Sequence, residues 1–159
     1  MREAIKKGLG FGLTSGIITT LGLIIGLYSS TSSKLAIIGG IIIIAVADSL
    51  SDALGIHISE EFNHKNSENH IWESTFATFL FKFIFAITFI IPFLLLSILT
   101  AIIASIVWGL FLITAFSYYI TKMKNKNVYK ICLEHLSITI LVIIASYYIG
   151  IMVKNIFGI

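Results

Sequence analysis

Charge is scarce in this chain. Charged residues make up 12% of its 159, where soluble domains carry about 25%. Hydrophobic residues make up 57%, and the mean hydropathy is +1.00. A water-soluble globule is excluded, and the expected surroundings are a lipid bilayer. The single cysteine, Cys132, rules out a disulfide within the chain and implies no redox compartment. No glycine-rich phosphate loop is present, which argues against an ATP-driven pump. No Ser/His/Asp or Cys/His set recurs at a plausible site, so the chain does not read as an enzyme. The formal charge of +3 is small, and nothing points to nucleic acid.

What the chain does have is long uncharged runs. A short basic head, Met1–Lys7, precedes Gly8–Tyr28, a run of about 21 residues and enough for one crossing at 1.5 Å per residue. That run is longer than a secretory h-region and lacks a small-x-small cleavage site before Ser29, so it reads as a span rather than a signal peptide. Ser29–Lys34 is a polar turn, and Leu35–Ile58 is a second span. Ser59–Ser74 is the only substantial hydrophilic segment, ending near Trp72, a residue suited to a membrane interface. Thr75–Ile120 has 46 residues and one charge, Lys82. Its length suits two spans, divided near Ser97–Thr100 with Pro92 just before the turn. Met123–Lys130 is a basic loop, and Leu133–Ile156 is the last span. The fold class is therefore all-α, a polytopic membrane protein with five transmembrane helices in a single domain, 1–159.

Loop charge orients it. With the N-terminus in the cytoplasm, the inner segments hold Arg2, Lys6, Lys7, Lys65, Lys122, Lys124, Lys126 and Lys130, and the outer ones only Lys34 and Lys154. This positive-inside bias makes Ser59–Ser74 cytoplasmic.

Asp48 and Asp52 stand four residues apart within the second span, on one face of a helix, with Ser51, Gly55 and Ser59 on or near that stripe. Each carboxylate costs about 2.5–3.5 kcal/mol inside a bilayer on insertion scales, so two in register mark a functional site. Lys82 and Asp48 each lie roughly 14–16 Å from the inner interface at 1.5 Å per residue, so the two can meet. The competing reading of Asp48 is a structural ion pair with Lys82, which need not exclude transport, and Asp52 has no such obvious partner. Gly8, Gly12, Gly16 and Thr20 recur every fourth residue, and Gly22 and Gly26 form a second small pair. That spacing serves close packing either within one subunit or across a dimer seam.

The hydrophilic segment and its flanks hold further candidate metal ligands. His57, Glu60, Glu61, His64, Glu68 and His70 combine carboxylate with imidazole, which suits Mn²⁺, Fe²⁺ and Zn²⁺. Glu61 and His64 form an E-x-x-H pair, one turn apart if helical, as in ferritin-like di-iron sites. The competing reading is a solvated acidic face.

Three stretches together resemble the vacuolar iron transporter family: GLTSGIITTLGLIIG at Gly12–Gly26, ADSLSDALGIHISEE at Ala47–Glu61, and CLEHLSITILVIIASYYIG at Cys132–Gly150. The resemblance implies a dimeric five-helix transporter in a membrane, here expected to be a prokaryotic plasma membrane. It implies export of Fe²⁺ or Mn²⁺ from the cytosol in exchange for protons, with the metal as substrate and no permanently bound cofactor. Its ion path runs between subunits along the first two helices, so Ser15, Thr19 and Ser51 are expected to line it. The family's acid on the fifth helix falls at Glu134, beside His135, and the two are expected as inner-gate ligands. The alternative for Glu134 is a helix N-terminal acid favoured by the helix dipole.

The chain departs from that pattern at its centre. Ser15 stands where the family has an intramembrane acid, and Asp52 where it has a methionine ligand. Asp48 replaces a small residue, Lys82 lies in an otherwise apolar helix, and the large cytosolic metal-binding helices are reduced to Ser59–Ser74. The alternative function is a membrane-bound metal-binding or di-iron oxidase-like protein, built on Glu61 and His64, that translocates nothing.

Overall fold

Few residues in this chain resist a helix, and the computed structural model, which describes residues 3–123 and 127–158, is built of helices. They are α1 (Glu3–Thr31), α2 (Lys34–Glu61), α3 (Glu68–Thr88), the short α4 (Ile90–Leu95), α5 (Ile98–Met123) and α6 (Val128–Phe157). Five stretches are long and apolar enough to cross a membrane: α1, α2, α3 with α4 as one, α5 and α6. The protein is a polytopic α-helical membrane protein, as the hydropathy pattern predicts.

Local chemistry explains the boundaries. Ser32 adopts a left-handed φ of 51° and closes α1, while Ser33 accepts the Ala36 N–H and opens α2. Pro92 has no N–H to offer the Thr88 carbonyl, and the long third span breaks there, with Phe89 between α3 and α4. The next turn falls at Leu96–Ser97, at the predicted hairpin. Asn127 caps α6 by accepting the Lys130 N–H.

Two boundaries differ from the sequence expectation. The basic head is already helical from Glu3. The hydrophilic segment Ser59–Ser74 is mostly helix as well: α2 continues to Glu61, Ser67 caps α3 and Glu68 occupies its first turn, so only Phe62–Ser67 is non-helical. Polarity marks where the chain leaves lipid, and a helix need not end there. Arg2, Lys124 and Lys126 of the loop charges lie outside the described residues.

Contacts group the chain into two compact units. One contains Met1–Thr20 and Gly39–Ile90; the other contains Leu21–Ile38 and Ile91–Ile159. α1 and α2 each contribute to both. In the first unit the glycine stripe of α1 lies against α3: a Cβ on Gly8 would sit 2.7 Å from the Thr78 nitrogen, and one on Gly12 2.7 Å from the Thr78 carbonyl oxygen. A Cβ on Gly16 would sit 3.0 Å from the Lys82 carbonyl oxygen. In the second unit, Gly22 meets Val142 and Ser146 of α6, and Gly150 of α6 meets Ser29. Within the chain, these glycines serve close packing against α3 and α6.

Much of the remaining surface is apolar. Ile42, Ile43, Leu50 and Leu54 of α2, Ile103, Val107 and Phe111 of α5, and Leu141, Ile144 and Tyr148 of α6 are exposed. So much exposed apolar side chain is what a lipid-facing surface requires.

Candidate functional site: a buried lysine between two aspartates

Close approach of α3 to α1 sets the site. With no side chains on Gly12 and Gly16, the α3 backbone comes near enough for Lys82 to reach Ser15 and the acidic face of α2. The Lys82 side chain is only 1% exposed. Its ammonium donates to the Asp52 carboxylate and to Ser15 Oγ at 2.9 Å, and lies 2.6 Å from Asp48 Oδ2. Ser15 in turn donates to Asp52 Oδ2 at 2.7 Å. The contact to Asp48 is an ion pair, and Asp48 Oδ2 accepts no hydrogen bond. The aspartate side chains are 30% and 21% exposed, so the acids reach an open surface that the lysine does not.

This corrects one expectation. Lys82 is not reserved for Asp48; it holds both acids, because an i,i+4 pair presents two carboxylates within reach of one flexible ammonium. Formal charges of −2 and +1 leave the group at −1. Thr19 donates to the Ser15 carbonyl at 2.8 Å and so joins the same turn of α1, whereas Ser51 is exposed and makes no contact with Lys82.

The polar end of this unit is organised around Glu60, whose side chain is 4% exposed. Its carboxylate takes the Lys7 ammonium on one oxygen. On the other it has Asn66 Nδ2 at 2.8 Å and His70 Nε2 at 3.3 Å. Glu60 and His70 are thus engaged in tying α1, the loop and α3 to the end of α2. Lys7 and Asn66 were not anticipated as partners. The first carried only the signal of a basic head, and the second none.

His57 lies between α2 and α3, with Nδ1 2.9 Å from Thr75 Oγ1 and Nε2 3.5 Å from Glu61 Oε1. Trp72 meets its ring edge-on with centroids 4.8 Å apart. The E-x-x-H pair does not form as expected: α2 ends at Glu61, and His64 is exposed in the following loop, off the helical register that pairing needs. Glu68 is exposed in the first turn of α3.

In the second unit, Glu134 lines an open depression with Asn127, Lys130 and Ile131, and His135 Nδ1 is 2.7 Å from Ser117 Oγ of α5. Among the described residues, no three histidine, cysteine, aspartate or glutamate side chains come together as a metal-holding group. The ten candidate ligands form separate sets, of which Asp48 with Asp52 lies nearest the middle of a span.

Compared with models of protein families, residues 51–151, more than half of the chain, match that of the VIT family. The matched stretch includes Asp52, Lys82 and Glu134, and begins after Ser15 and Asp48. No curated protein matches the chain.

Proposed function

This chain belongs to the VIT family, a family of membrane metal transporters, and on that premise we propose that it exports Fe²⁺ or Mn²⁺ from the cytosol in exchange for protons. The observation that carries the reading is the Asp48–Lys82–Asp52 group with Ser15, in the body of three membrane spans. Ionisable groups at such depth are costly and line ion and proton paths. At a formal charge of −1 the group takes up a proton or a cation. A divalent metal that binds there displaces the proton and draws the two carboxylates away from Lys82. When the metal leaves, proton and ammonium return. The two ions compete for the same oxygens, and that competition is the elementary step of exchange.

Carboxylate oxygens are hard ligands, so they hold Mn²⁺ and Fe²⁺ in preference to Cu⁺ and give no advantage to Zn²⁺. Loop charge supports an orientation with the N-terminus, Glu60 and His70 on the cytoplasmic side, where export would begin. A homodimer would bring two such acidic groups to the path.

The reading is tested by metal flux into proteoliposomes. Mn²⁺ and Fe²⁺ flux should exceed that of Zn²⁺, with protons moving the opposite way. Asp52→Asn should lower flux at least about tenfold in a folded protein, because it removes the carboxylate that binds both ions. Flux unchanged in Asp48→Asn and Asp52→Asn alike would leave the group as a packing device between helices, and faster Zn²⁺ or Cu⁺ would show that the ligands are others.

A further inference from the structure

Thr75 decides which nitrogen of His57 carries a proton. The threonine hydroxyl has one hydrogen, and the helix sets the Ile71 carbonyl 2.8 Å away to receive it. Thr75 Oγ1 therefore accepts from His57 Nδ1 at 2.9 Å, and in the neutral ring Nε2 is left with a lone pair. That lone pair faces Glu61 Oε1 at 3.5 Å, beyond the roughly 2.7–3.2 Å of an N–H···O hydrogen bond. Two acceptors so placed repel each other unless a proton or a metal ion lies between them. A divalent ion about 2.1 Å from both would hold them about 3.0–3.4 Å apart, at right-angled to tetrahedral geometry.

We propose that His57 Nε2 and Glu61 Oε1 form a two-ligand site for a first-row divalent transition metal, completed by water. Thr75 plays the part of the outer partner that fixes the tautomer and orientation of a metal-binding histidine. Trp72 braces the ring from the side. The His57 side chain is 18% exposed and that of Glu61 58%, so ion and water can reach the pair. One imidazole and one carboxylate favour Mn²⁺, Fe²⁺, Co²⁺ or Zn²⁺ over Mg²⁺ and Ca²⁺. The site is distinct from the Lys82 group: His57 is five residues past Asp52, about 7.5 Å along the axis of α2 and about 140° around it.

Trp72 makes the site observable. With Trp108→Phe as background it is the sole tryptophan, and Co²⁺ bound at His57 should quench its fluorescence saturably in the full-length protein in lipid nanodiscs. His57→Gln or Glu61→Gln should abolish saturation, and Thr75→Val should weaken it about tenfold by releasing the ring. Zn²⁺ should reverse the quenching and Mg²⁺ should not. Asp52→Asn should leave it intact whether or not that change stops flux, so this site and the transport reading fail separately. Quenching that is absent, or equal in His57→Gln and Glu61→Gln proteins of unchanged helicity, overturns the site. A ¹⁵N-histidine spectrum of the unsubstituted protein gives an independent check: His57 protonated on Nδ1 with Nε2 shifted by Zn²⁺ supports it, and His57 protonated on Nε2 overturns it.

Discussion

Lys82 is the residue on which the first unit turns, and it shares itself between two acids. That sharing changes what single substitutions should do. In Asp48→Asn or Asp52→Asn the ammonium keeps one carboxylate, so each change alone should cost less than about 2 kcal/mol of stability, well below the loss of a sole partner. The double change strands a lysine that is 1% exposed, and removing the last partner of a buried charge costs about 3–5 kcal/mol. Adding Lys82→Leu to the double variant should restore most of that loss. Thermal unfolding of the four proteins in one detergent checks the order. A double variant as stable as either single one would mean that Ser15 and water suffice for the ammonium.

At the scale of the element, glycine spacing sets how closely α3 approaches α1. A Cβ on Gly12 would meet backbone, 2.7 Å from the Thr78 oxygen and 3.0 Å from the Lys82 nitrogen, and backbone cannot swing aside as a side chain does. Gly10 has nothing within 4 Å of its Cβ position. Gly12→Ala should therefore lower the unfolding temperature and, by pushing α3 away, weaken the Lys82 group. Gly10→Ala should be neutral or stabilising, by up to about 1 kcal/mol, since alanine is the better helix former. The contrast within one helix separates contact from propensity. Equal effects at the two positions would show that the stripe does not set the approach.

For the whole molecule, the consequence to be measured is orientation. Five crossings place the ends of the chain on opposite sides, and the lysines of the described loops favour a cytoplasmic N-terminus. In a Cys132→Ser background, Ser32→Cys should react with an impermeant thiol reagent from outside intact cells. Asn69→Cys, exposed in the first turn of α3, should react only after the membrane is opened. The reverse pattern would overturn both the orientation and the export direction.

Five spans, the turn near Ser97 and the acidic face of α2 were legible in the sequence because each is a local property: run length, a run twice too long for one crossing, a spacing of four. The sequence even made a meeting of Lys82 with Asp48 computable, since depth along a helix is only a count of residues. It did not show that Lys82 holds Asp52 as well, that Glu60 is occupied by Lys7 and Asn66, or that Thr75 and Trp72 orient His57. Those are contacts between side chains on different elements, 30 residues apart for Lys82 and Asp52 and 53 for Lys7 and Glu60. A spacing states which face a residue lies on; only packing decides what that face meets. The glycine stripe shows the division most plainly: its period announced a close approach, and the tertiary structure decided that the helix approaching is α3 of the same chain.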